Sequence, residues 1–186
     1  MLYHTTYPAV NNSKKWITFI HGAGGSSAIW KKQIPFFSKA FNLLLVDLSG
    51  HGYSVTNYAQ KSKDKISFES ILNDVLEVLD NLNIKKSHFI GISLGTVIIN
   101  QLVLKEPNRI LKMVLGGATL ELNFMSRFMM YFAYATKSIV PYMWLYKLYA
   151  FIVMPSKTDI ESRKLIIKEA KRMNQKEVVR WFKLTP

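Results

Sequence analysis

The sequence predicts an α/β protein, a parallel sheet flanked by helices on both faces, and three observations carry that reading. Short apolar runs rich in β-formers recur between residues 16 and 115, helix-period segments separate them, and a glycine-bearing or polar turn closes each run. Strands alternating with helices can pair side by side only through crossovers, which covers the sheet from both sides.

The elements follow in order. Trp16-Ile17-Thr18-Phe19-Ile20 reads as the first strand, followed by a helical segment from Ala28 to Ala40. Leu43 to Val46 is the next strand. Phe68 to Leu82 then places Phe68, Ile71, Leu72, Val75, Leu79 and Leu82 on one helix face. His88 to Ile92 is a third strand; Leu94 to Lys105 is a helix stopped by Pro107, and Leu111 to Leu115 is a fourth strand. His4 lies in a segment expected to fray, and His88 opens a strand. From Glu121 onward the sequence turns aromatic and methionine-rich, with Pro141 dividing two helical pieces. A last helix is expected from the capping box Thr158-x-x-Glu161 to about Lys183, with Ile160, Leu165, Ile166, Ala170, Val178 and Trp181 on its apolar face. Residues 1–118 thus hold the strand-and-helix alternation and 119–186 a separate helical segment.

Composition removes several classes. The 186 residues suit one domain, and 49% hydrophobic content with four Trp, nine Tyr and eleven Phe excludes a disordered chain. Without cysteine there is no disulfide, thiolate zinc site or cysteine nucleophile, and the cytoplasm is the expected compartment. No histidine–carboxylate cluster has ligand spacing, so neither a metal nor a cofactor is expected. Met1 to Pro8 lacks the basic and apolar regions of a secretory signal. Arg127, Lys137, Pro141 and Lys147 break the apolar stretch between Phe124 and Pro155, so no membrane span is expected. The net charge of +13 divides into 13 basic against 7 acidic residues (+6) over 1–120 and 12 against 5 (+7) over 121–186. A charge so evenly spread, in scattered pairs such as Lys14-Lys15, Lys31-Lys32 and Lys85-Lys86, reads as a solvated surface and not as a nucleic-acid interface.

Three motifs stand just past the carboxyl ends of the strands, where chemistry sits in such sheets. Gly91-Ile92-Ser93-Leu94-Gly95 has the spacing that lets a serine project from a sharp strand-to-helix bend, the glycines removing side chains that would collide there. A plain turn with a serine N-cap is the alternative. His21-Gly22-Ala23-Gly24-Gly25 can bring backbone amides to a developing oxyanion, with Ala23 N–H and Leu94 N–H as the expected pair. In this loop His21 is expected to brace the backbone and not to serve as base, and His21, Gly22 and Gly24 would face the substrate. Asp47-Leu48-Ser49-Gly50-His51-Gly52-Tyr53-Ser54 reads as an architectural turn closed by the Asp47 side chain, His51 being solvated or loop-bracing.

With these motifs in this order, the chain resembles the α/β-hydrolase superfamily, in its lid-bearing serine esterase-like branch. The match rests on His21-Gly22, Asp47-x-x-Gly50-x-Gly52-x-Ser54 and Gly91-x-Ser93-x-Gly95, and covers residues 2 to 118. The resemblance implies that Ser93 is the nucleophile, that Ala23 and Leu94 form the oxyanion hole and that a helical cap follows the last strand. Phe128, Tyr131 and Trp144 would line the apolar substrate site under that cap. It also implies a triad acid and a histidine on later strands; Glu121 is one candidate acid, and no histidine follows His88. The sequence is accordingly expected to be the front part of a serine hydrolase acting on an ester or similar bond of a small, largely apolar molecule, and nearly inert alone. Two other readings stay open: a non-catalytic relative that binds an apolar ligand, and an acyltransferase or carbon–carbon hydrolase on the same scaffold.

Overall fold

A computed structural model of the chain describes residues 1–55, 66–118, 131, 140–173, 175–182 and 184. Five strands form one sheet in the order β1-β3-β2-β4-β5, with β1 His4–Tyr7, β2 Trp16–Ile20, β3 Asn42–Val46, β4 Ser87–Ile92 and β5 Ile110–Gly116. β1 runs antiparallel to β3, and the other neighbours are parallel. The register pairs Ile20 with both Val46 and Gly91, and Gly91 with Leu115. The turns that leave β2, β3, β4 and β5 therefore open at the same end of the sheet, and all three motifs meet there.

Burial explains why the central strands are mostly apolar, the buried Thr18 of β2 being paired with the Ser87 hydroxyl at 2.8 Å. In β3 Leu43, Leu44, Leu45 and Val46 are all buried, as are Ile17, Phe19 and Ile20 in β2, because helices cover both faces. On one face α2 (Phe68–Asn81) and α3 (Leu94–Lys105) press Ile71, Leu72, Val75, Ile98, Ile99 and Leu102 against Ile20, Leu44, Val46 and Phe89. The other face packs Ile17, Phe19, Leu43 and Leu45 under Trp30 and Phe37. At the far edge β5 leaves Leu111, Met113 and Val114 exposed, and it pairs with β4 alone among the described residues.

Four local expectations change. His4 lies in a strand: β1 is too polar to announce itself and exists because the open edge of β3 supplies ladder partners. The helix expected from Ala28 to Ala40 is instead a 3₁₀ turn, Ser27–Trp30, capped by Ser26, and a single helical turn, α1 (Ile34–Phe37), with Pro35 near its start. Proline lacks the N–H that a continuous helix would need at that point. Pro141 caps α4 (Tyr142–Val153). The last helix is broken into α5 (Ile160–Ala170) and α6 (Gln175–Phe182), and its capping box is Ser156 with Asp159. Glu161 pairs with Lys32 at 2.7 Å instead. At the break the Tyr142 hydroxyl shares its one proton between the carbonyls of Ala170 and Met173, acceptors that a continuing helix would have used, and the Met173 N–H folds back onto Ala170 at 3.1 Å. Phe124, Phe128 and Glu121 lie outside the described residues.

Replacing Tyr142 by Phe is expected to lower stability in urea unfolding by about 1 kcal/mol, since the one shared hydroxyl bond at the break is lost. An unchanged midpoint would mean that this bond does not hold the break.

Candidate functional site

Ser93 stands between β4 and α3 with φ 50° and ψ −117°, a backbone geometry that non-glycine residues rarely adopt. Three bonds hold it. Its N–H donates to the Gly116 carbonyl at 2.9 Å, and its own carbonyl accepts from the Thr96 N–H at 2.8 Å and the Thr96 hydroxyl at 2.6 Å. Gly95 makes the bend possible by close approach: a Cβ there would sit 2.3 Å from the Ile20 carbonyl oxygen. Ser93 is neither buried nor fully exposed, and its hydroxyl makes no protein hydrogen bond among the described residues. A plain N-cap serine would turn its oxygen onto the helix amides, and Ser93 makes no such bond.

The loop after β2 lies directly against this bend. A Cβ on Gly22 would come within 3.3 Å of the Ser93 Cβ and 3.2 Å of the Ile92 carbonyl. Gly25 N–H closes the turn onto Gly22 C=O at 3.0 Å, and Gly24 takes φ +72°. Among the described residues the Ala23 and Leu94 N–H groups have no acceptor, Leu94 because it opens α3 and has no carbonyl four residues back within the helix. One free amide, that of Leu94, adjoins the serine, and the other, that of Ala23, lies in the loop packed against it.

His21 is fully committed. Its Nδ1–H donates to the Gly22 carbonyl at 2.7 Å and its Nε2 accepts from the Leu48 N–H at 3.0 Å, tying the β2 loop to the β3 loop. Burial lowers its pKa despite the Gly22 bond and the charges of Asp47 and Glu169, so the ring is neutral. His51 is buried as well, not solvated. Its Nδ1–H meets the Ser49 carbonyl at 3.1 Å, and its ring packs between His21 and Trp181 at 5.1 and 5.0 Å. Desolvation, with the neighbouring His21 adding to it, pushes its pKa down to about 3. Asp47 is architectural as expected: Oδ1 accepts from Ser27 N–H at 2.6 Å and Oδ2 from Tyr53 N–H at 2.9 Å. His88 stands five residues before Ser93 in the sequence, about 16 Å back along an extended strand.

Two side chains at the site gave little sign of themselves in the sequence. Tyr146 of α4 donates its hydroxyl to the Ala23 carbonyl at 3.1 Å, and its ring occupies the space that a Cβ on Gly24 would need, at 2.5 Å. Trp144, expected at the substrate site, is 72% exposed, and the described Tyr131 is 66% exposed; on α4 it is Tyr146 that reaches the loop. Glu169 of α5 is buried, accepting from the Ser26 hydroxyl at 2.8 Å with the Arg172 guanidinium 3.4 Å away. A carboxylate among Leu165, Ile166 and Ala170 on one helix face was its only available signal. No group of three or more His, Cys, Asp or Glu residues could hold a metal ion among the described residues. No helix among them is long and apolar enough to cross a membrane.

A family model described as alpha/beta hydrolase fold matches residues 15–140. Human Protein ABHD8 is 34% identical over 117 residues, 60% of this chain and 26% of that protein. The 3-oxoadipate enol-lactonase 1 of Acinetobacter baylyi is 32% identical over 79 residues, 42% of this chain and 27% of that protein. Among solved structures, the enol-lactonase from Burkholderia xenovorans LB400 superposes with a TM-score of 0.76 at 18% identity, covering 98% of this chain and 69% of that one. The chain spans between 23% and 39% of the length of the curated relatives it matches.

Two outcomes are expected. Gly95→Ala should destabilise by about 3 kcal/mol or more in urea unfolding, because its new carbon meets backbone and not a flexible side chain; a loss below about 1 kcal/mol would contradict the close approach. The second concerns pH. An unfolded His51 binds a proton below about pH 6.5 and the folded one below about 3, so stability is complete above 6.5 and falls as pH drops through that window. The slope should approach about 1.4 kcal/mol per pH unit for this residue. Stability curves of His51→Gln, measured across pH 4–7, should be correspondingly flatter.

Proposed function

Since the chain belongs to the α/β-hydrolase family, we propose that it carries the nucleophile and oxyanion hole of a serine hydrolase acting on an ester or similar acyl bond of a small, largely apolar substrate. The observation that carries this is Ser93 itself, held at φ 50° with a free hydroxyl, the unpaired Leu94 amide next to it and that of Ala23 in the loop packed against it. In the proposed reaction Ser93 Oγ attacks the acyl carbon while its proton passes to a base. The carbonyl oxygen gains the charge and is met by Ala23 N–H and Leu94 N–H, which need no reorganisation to receive it. Expulsion of the alcohol leaves an acyl-serine, and water then releases the acid. Enol-lactonases among the matched proteins support an ester-like bond, a lactone being a cyclic ester. The Tyr146 contact with Ala23 supports a cap formed by the residues after 118, with α4 over the loop.

We place the general base outside the four histidines of this sequence. His21 has both nitrogens occupied, His51 is buried and directed at Ser49, and His4 and His88 lie on strands. Without an imidazole at Ser93 its hydroxyl stays un-ionised, and removing such a base costs several orders of magnitude in rate. The 186-residue chain is therefore expected to react only slowly with a fluorophosphonate, with the label mapping to Ser93, and added imidazole should speed the labelling. Rapid stoichiometric labelling without added imidazole would make His21 or His51 the base, and labelling at a residue other than Ser93 would end the nucleophile assignment.

A further inference from the structure

Helix α4 is amphipathic in the reverse sense. Successive residues are about 100° apart, so Tyr142, Tyr146 and Ala150 share one face, and Trp144, Leu148, Phe151 and Ile152 share the opposite one. The first face turns inward: Ala150 is fully buried, and the two tyrosines bond to Ala170, Met173 and Ala23. The second faces out, with Trp144 72%, Leu148 54%, Phe151 57% and Ile152 52% exposed, and at the C-terminal end Tyr149 and Val153 extend the exposed apolar surface round the helix. Among the described residues the more apolar stripe is thus the outward one, the reverse of the pattern of a water-facing surface helix.

The surroundings are basic. Between Val140 and Ser156 the one charged residue is Lys147, and there is no acid. Lys157 follows, exposed, and the Arg163 guanidinium lies 5.1 Å over the Phe151 ring; Lys164 and Lys168 fall on the Glu161 side of α5. Of the acids in the same segment, Glu161 is paired with Lys32, Glu169 is buried under Ser26 and Asp159 caps Ser156. A second copy of this face would bring like charges together in a chain of net charge +13, whereas an anionic surface meets both the apolar stripe and its basic flanks. At twelve residues α4 is about 18 Å long, too short to span a bilayer and suited to lying along its surface.

We infer that α4 is a membrane-surface contact, inserting Trp144, Leu148, Phe151 and Ile152 into the interface of an anionic phospholipid layer while Lys147 and Arg163 meet the headgroups. This is independent of the reaction proposed at Ser93.

The test is flotation of the full chain with vesicles of phosphatidylcholine alone or in equal parts with phosphatidylglycerol. The chain is expected to float with the mixed vesicles, to stay below with phosphatidylcholine alone, and to be released by high salt. Trp144→Ser with Leu148→Ser should weaken partitioning about tenfold or more, two exposed apolar anchors being lost. Met113→Ser on the exposed β5 edge should leave it unchanged. In the unsubstituted chain, brominated phosphatidylglycerol should quench emission from Trp144, the most exposed described tryptophan, a reading that does not depend on any variant folding. Absence of flotation, equal flotation of the double variant, loss with Met113→Ser instead, or a self-association that the double variant abolishes would each overturn the assignment.

Discussion

Everything at the site depends on how closely α3 passes the end of β2. β2 and β4 are parallel neighbours in register at Ile20 and Gly91, so a helix starting immediately after β4 must cross the Ile20 carbonyl. With no side chain at Gly95 it does so at a distance that even one carbon would violate. That approach seats Ile98, Ile99 and Leu102 in the core and forces Ser93 into its unusual backbone geometry. A strain on the order of 1–3 kcal/mol is tolerable because the buried helix face and the bonds from Gly116 and Thr96 over-determine the bend.

Around the bend, charge and imidazole are used as structure. Asp47 takes two backbone N–H groups, His21 ties the β2 loop to the β3 loop, and His51 fills the gap between His21 and Trp181. Buried polar groups of this kind are stabilising while each keeps its partner, as Asp47 and His21 do; His51 keeps the Ser49 bond but leaves Nε2 buried without a partner among the described residues, and burial holds both histidines neutral. The C-terminal helices enter the same network. Glu169 reaches Ser26, Trp181 Nε1–H donates to the Ser49 carbonyl at 3.2 Å, and Tyr146 holds the Ala23 carbonyl. The position of those helices and the shape of the amide-bearing loop are therefore one structural question.

How much was readable follows from where the information lies. β2 to β5, α2 and α3 announce themselves because burial on both faces demands apolar runs and one-sided packing demands a helical period, and both are local patterns. β1 does not, since a polar edge strand is defined by the neighbour it pairs with. The segment from Ala28 to Ala40 misled because apolar spacing alone does not register the missing N–H of Pro35. At the break after Ala170 the carbonyl meets a tyrosine 28 residues away in sequence. His51, expected to be solvated or loop-bracing, proves to brace, and it packs against Trp181, far along the chain.

By itself the sequence determined the alternation of strands and helices, the three motifs beyond the strand ends and the serine at the centre of one of them. These rest on composition and spacing over a few residues, where steric rules act directly. Only the tertiary structure decided that Ser93 leaves its hydroxyl free, that His51 is buried against His21 and Trp181, that Tyr146 and not Trp144 faces the loop, and that α4 turns its apolar stripe outward. The physical reason is common to all four: hydrogen-bond partners and burial are properties of neighbours brought together by folding, and no local pattern records them.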